Sequence, residues 1–148
     1  MLKPGKVRLR FMIAFSILWS ISSVSFAAET EIIAERKANF KANAAAMKSI
    51  RAALGKDDFD TVVKHAKTIA TWANIMTEYF PDGSDTGDTE ARAEIWLDFN
   101  TFSIRAKNNE EAALTLIKTG KTGDLSETIK ALKSVSVSCK SCHNQFKE

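Results

Sequence analysis

Beyond residue 27, every proline and glycine of this chain falls at one of three places: Gly55, the segment holding Pro81, Gly83 and Gly87, and the pair Gly120 and Gly123. Between those breaks run long stretches rich in Ala, Lys and Glu, a mixture that favours helix over strand. Each stretch carries an apolar stripe. In the first, from about Thr30 to Leu54, Ile33, Phe40, Met47 and Leu54 fall seven apart, with Ala44 and Ile50 between them. That is one helix face packed lengthwise against others. Asp57 or Asp58 can cap the second, where Phe59, Val62, Val63, Ala66, Ile69, Ala70, Ala73 and Met76 step by three and four. The third is expected from near Thr89 to about Lys118, burying Ile95, Phe99, Phe102, Ala106, Ala113 and Leu116 or Ile117. Asp124 can cap the last, whose stripe is Leu125, Ile129, Leu132, Val135, Cys139, Cys142 and Phe146. Phe80 to Asp88 reads as a surface crossover. The predicted fold is all-α, an antiparallel four-helix bundle forming one domain over residues 28–148.

The first 27 residues are set apart by their own pattern. Lys3, Lys6, Arg8 and Arg10 precede an apolar run from Phe11 to Ile21, and Ser25-Phe26-Ala27 has the small-x-small form of a cleavage site. This reads as a secretory signal peptide cut after Ala27; the apolar run is short for a span of about 20 residues. Removing it also removes the apparent basic character. The full chain has 21 Lys and Arg against 18 Asp and Glu; the remainder has 17 against 18. The expected partners therefore exclude nucleic acid, and no membrane association is expected after cleavage. The expected location is a bacterial periplasm.

The stripes account for packing and leave function to a different feature. Cys139-Lys140-Ser141-Cys142-His143 is Cys-x-x-Cys-His, the attachment signature of c-type haem. Two thiols three residues apart lie on one side of a helical turn. Each can add to one vinyl group of the same haem, giving two thioether bonds, and the adjacent histidine can bind the iron. The secretory leader agrees, because such haem is attached outside the cytoplasm. One haem c is the expected cofactor, with Phe40, Met47, Phe99, Phe102, Val135 and Phe146 as candidate walls. Two rival chemistries use the same residues. A thiol–disulfide oxidoreductase normally carries its cysteines at the start of a helix that follows a strand, whereas these close the last helix. A zinc site would need His65, the only other soft ligand beyond the leader. His65 itself reads as a solvent-facing histidine beside the second stripe. Trp72 and Trp96 read as packing or helix-edge residues, with Trp96 also able to touch a second subunit.

On these residues the chain resembles the cytochrome c′ family. The resemblance rests on the motif near the C-terminus, from Ser138 to Lys147. It is supported by Phe80-Pro81-Asp82-Gly83-Ser84, Glu90-Ala91-Arg92-Ala93-Glu94-Ile95-Trp96, Gly123-Asp124-Leu125 and Glu35-Arg36-Lys37. It implies a haem held by Cys139 and Cys142, with His143 as the proximal metal ligand. It also implies haem contacts from Arg36 and Lys37 at the propionates, and from Glu90 on the crossover. The residue four beyond Arg36 covers the distal face in this family, and here it is Phe40. A phenyl ring cannot bind iron, so the resemblance implies a high-spin, five-coordinate haem open to NO or CO. One departure is Lys147, where the family usually has arginine; lysine keeps the charge but loses the planar fork of donors.

Three functions follow as expectations. The first is a periplasmic haem protein, not an enzyme, that binds NO and CO and relays electrons to redox partner proteins, as a homodimer. The second is a low-spin electron carrier with Met47 or Met76 as sixth ligand. The third is a haem-free thiol oxidoreductase using Cys139 and Cys142.

Overall fold

The helix breaks are set by capping chemistry. Asp58 precedes α2 and accepts a hydrogen bond from the Thr61 backbone N–H through Oδ1; Asp124 does the same for Glu127 ahead of α5. Gly123 closes α4 with φ of +69°, a left-handed conformation that suits glycine, and its N–H donates to the Gly120 carbonyl. The computed structural model describes residues 22–148, with side chains from residue 29 onward. The leader expected over residues 1–27, and its cut after Ala27, lie outside the residues whose side chains are described.

The elements are α1 (Ser22–Leu54), α2 (Phe59–Ile75), a 3₁₀ turn (Met76–Tyr79), a single turn α3 (Glu94–Leu97), α4 (Phe99–Thr122) and α5 (Leu125–Phe146). The four long helices form the expected four-helix bundle. Two boundaries differ from the sequence reading. α1 is already helical at Ser22, the first described residue, ahead of the expected Thr30, and nothing from there to Leu54 is a glycine or proline that would interrupt it. The third helix does not start near Thr89. Residues 89–93 belong to the crossover, and the chain breaks again at Asp98, whose carboxylate caps α4 by accepting from the Thr101 N–H. The break turns Phe99 outward, to 40% exposure. Leu125 and Ile129, expected on the buried stripe of α5, are also exposed.

Helix α1 packs on α2, α2 on α4 and α4 on α5, whereas the backbones of α1 and α5 scarcely approach each other. Gly120 lets α4 sit tightly on α2: a methyl group there would meet the Val63 side chain at 3.0 Å. The core has two parts. One is aliphatic, centred on Ile50, Val62, Ile69, Ala113, Leu116 and Val135. The other is largely aromatic, built from Trp72, Met76, Phe80, Ile95, Phe102 and Phe146. No helix among the described residues is long and apolar enough to cross a membrane.

Candidate haem site

Where α1 and α5 fail to meet, the structure has a cavity of about 550 Å³. This is the size range of pockets that hold drug-sized or cofactor-sized ligands. α5 supplies Cys139, Cys142 and His143 to its lining, and α1 supplies Arg36, Lys37, Phe40 and Met47. Glu90 comes from the crossover and Phe102 and Phe146 from the aromatic core, so the cavity gathers every site residue that the sequence singled out. Of the expected walls, Phe99 and Val135 do not line it. Val135 is wholly buried in the aliphatic core instead. His65 does not line it either, and no group of His, Cys, Asp or Glu among the described residues could hold a metal ion.

Helical geometry sets the cysteines astride the two halves of the core. Cys139 packs against the aliphatic part and Cys142 against the aromatic part, and both are half-buried. Burial raises both thiols above their ordinary pKa. Cys142 is pushed up to about 11, against an opposing pull from Arg105. Cys139 moves the same way, opposed by a hydrogen bond from Asn109 Nδ2 at 3.5 Å. Both thiols are therefore protonated at neutral pH, the reverse of the depressed pKa that a redox-active Cys-x-x-Cys uses. Partial burial, with Lys147 adding, holds His143 below the usual imidazole value, and Glu90 opposes them.

Phe40 faces this motif. Its ring centroid is 6.4 Å from that of His143, at an interplanar angle of 70°. Behind it stands Trp72, edge-on at 5.3 Å. Met47 and Met76 line the same cavity, each packed into a core cluster.

Arg36, one turn before Phe40, is only 2% exposed and its donors are engaged by protein. Nη1 donates to Ser84 Oγ at 3.0 Å and to the Tyr79 carbonyl at 3.4 Å. Nη2 donates to the Ser84 carbonyl at 2.7 Å and to Thr89 Oγ1 at 2.6 Å. Its guanidinium also lies 4.6 Å from the Phe80 ring centroid. Lys37 pairs with Asp88 at the surface. The crossover continues to the tail. Thr89 Oγ1 accepts from the Ala91 N–H, Arg92 N–H donates to the Phe146 carbonyl, and Glu148 N–H donates to the Glu90 carbonyl. Glu90 and Lys147 add an ion pair of 3.1 Å. A strap of hydrogen bonds thus joins α1 to α5 across the mouth of the cavity.

Sequence reading missed three contributors. Arg51 and Arg105 line the cavity, and Arg105 Nε is buried without an acceptor. Asn109, 6% exposed, donates to Ser138 Oγ at 2.8 Å beside Cys139. Its signal was available: it is the polar residue in register with the apolar stripe of Phe102, Ala106, Ala113 and Leu116. These residues fit a haem. The walls are apolar, two thiols are set on one helix face beside an imidazole, and an unpartnered guanidinium N–H suits a group that carries carboxylates.

The family model described as cytochrome c′ matches residues 31–147. A cytochrome c′ of Rhodospirillum rubrum is 31% identical over 144 residues, covering 95% of this chain and 97% of the relative. The fold matches the crystal structure of cytochrome c′ from Thermochromatium tepidum with a TM-score of 0.75. The identity is 26%, over 80% of this chain and 95% of that one. A second similar structure is described as a cytochrome c′ with an unusual ligand-controlled dimer dissociation. It shares 28% identity and a TM-score of 0.75, over 80% of this chain and 95% of its own.

Proposed function

This chain belongs to the cytochrome c′ family, whose members carry covalent haem c, and on that premise we propose that it is a periplasmic haem protein that binds NO and CO at a vacant sixth coordination position. Cys139 and Cys142 would hold the haem through thioether bonds, and His143 would bind its iron. When bound, the haem supplies an iron that takes up a small neutral ligand or a single electron. The rest is done by the chain. Phe40 covers the distal side and excludes water. Lys37 and Glu90 flank the mouth, and Arg36 acts through the crossover it holds. The observation that carries this reading is the near-perpendicular Phe40 ring 6.4 Å from His143, a side chain with no atom able to bind iron.

Ligand uptake and electron relay need no general acid or base, so the protein is a carrier and not an enzyme. Export by the leader of residues 1–27 supports the periplasmic assignment. A homodimer, redox partner proteins and no nucleic acid complete the reading; the dimer is supported by the structural relative whose dimer dissociates under ligand control. A second reading keeps one specific support. Met47 and Met76 line the same cavity, and either as sixth ligand would make a low-spin electron carrier. Absorption spectra of the purified protein decide. The expected result is a red protein with a high-spin ferric spectrum whose ferrous form binds CO. A ferrous form that ignores CO, with a methionine-to-iron charge-transfer band in the ferric state, supports the second reading. A colourless protein overturns both.

A further inference from the structure

The position of Phe40 depends on a residue outside the cavity. Phe40 is on α1 and is only partly buried, so its own helix does not fix the ring. The contact behind it is Trp72 of α2, at 5.3 Å and 85°, a close edge-to-face pair. Trp72 is 3% exposed, and it also meets Tyr79, at 5.0 Å. The Tyr79 carbonyl in turn accepts from Arg36, one turn before Phe40, so the contacts return to α1. The indole N–H of Trp72 is buried and has no acceptor. Ring contacts and close packing, rather than a hydrogen bond, therefore set where the indole sits. On its outer side Trp72 lines a separate groove of about 400 Å³ between α1 and α2, shared with Asn39, Asn43, Thr71 and Ile75. The indole does not line the haem cavity; it touches Phe40, which does, and it borders the separate groove.

We propose that Trp72 is a positioning residue for ligand entry: it holds the Phe40 ring over the distal face, and its retreat into the α1–α2 groove is the movement that lets a diatomic ligand in. This rests on the reading that Phe40 covers a vacant coordination position. Loss of one edge-to-face pair corresponds to a rate change of about two- to tenfold. Because the indole has room behind it and no hydrogen bond to break, the barrier is carried by ring packing. Removing the ring lowers it, and a smaller ring at the same position keeps it.

The test is CO rebinding after flash photolysis of the ferrous haem protein, together with the ferric absorption spectrum. Trp72→Ala is expected to bind CO about two- to tenfold faster. Its ferric spectrum should shift toward a water-bound six-coordinate form, because the retracted Phe40 no longer excludes water. Trp72→Phe should behave like the unaltered protein in both measurements. Phe40→Ala should be fast by itself, and adding Trp72→Ala to it should change little further. If Trp72→Ala yields no folded haem protein, Trp72→Leu carries the same expectations. Fast binding in Phe40→Ala with unaltered rate and spectrum in the Trp72 variants overturns this inference alone. So does an equal acceleration by Trp72→Ala in the Phe40→Ala background, which would mean general loosening. Phe40→Ala without effect on CO binding overturns the distal reading, and this inference with it.

Discussion

The two halves of the core solve the same packing problem with different side chains. In the aliphatic half, small residues let the helices close on one another. Ala113 and Leu116 of α4 and Val62 and Ala66 of α2 are fully buried, and Gly120 brings α4 within contact of Val63. In the aromatic half, Trp72, Phe80, Phe102 and Phe146 fill the space between the helices, with edge-to-face pairs of 4.7 Å and 5.4 Å among them. The first half meets the cavity only along Met47, Ile69 and Cys139. The second borders it more widely, and there α1 reaches α5 through the crossover strap and the Phe40–His143 ring contact. In an aromatic wall that faces a cavity, part of each ring lacks protein contact, and dispersion is forfeited wherever a surface has no partner. The haem cavity thus takes more of its wall from the aromatic half than from the aliphatic one.

The strongest way to break that contrast is to remove the haem. Cys139→Ser with Cys142→Ser is expected to cost more than about 4 kcal/mol, the stabilisation given by a ligand held at a thousandfold over its dissociation constant. The loss should be uneven. Amide exchange should stay slow in the α2–α4 contact around Leu116 and become fast in α1 near Phe40. Uniform protection would remove the distinction between the halves. Leu116→Ala, at a fully buried position of the aliphatic half that does not line the cavity, should cost about 3 kcal/mol in denaturant unfolding. That cost should be the same with and without haem, whereas a cost that depends on haem would couple the halves. Arg36→Met should cost about 2 kcal/mol, because it strands the buried Ser84 carbonyl and takes one partner each from the Ser84 and Thr89 hydroxyls. The variant should also raise proteolysis of the crossover between Pro81 and Thr89, which a merely local packing defect would not do.

The same contrast explains what was legible in the sequence. The helices followed from periodicity and from the clustering of Pro and Gly at three breaks. The motif chemistry followed from five adjacent residues. Periodicity failed at Asp98, because Ile95, Phe99 and Phe102 keep helical spacing across a break that a capping carboxylate makes. It also took Leu125 and Ile129 as buried, since a stripe gives a direction but not how far the neighbouring helix extends. Arg36 and Phe40 are one turn apart on the same face, yet one is bound into the crossover and the other covers the cavity. That division depends on Ser84 and Thr89, 48 and 53 residues away, and spacing along one helix cannot supply it. Trp72 was legible as a packing residue but not as the backing of Phe40, because the contact crosses from α2 to α1.

The smallest expected effect separates the haem-bearing and haem-free chains by pH. In the haem-free chain the folded state holds His143 below its ordinary value through partial burial and the nearby Lys147 charge, with Glu90 opposing. An unfolded chain binds that proton at about 6.5. The unfolded state is then the more protonated one as the pH falls through that value, so stability rises with pH there. The stabilising state is complete above the unfolded value and declines below it until the folded group also titrates. Urea midpoints of the Cys139→Ser, Cys142→Ser chain should therefore fall between pH 7.5 and pH 5.5, and His143→Gln should flatten that slope. With haem attached and the imidazole bound to iron, the proton has no site and the midpoint should not move in this window. A slope that survives His143→Gln would assign the proton elsewhere, and a slope in the haem-bearing protein would argue against His143 as the axial ligand.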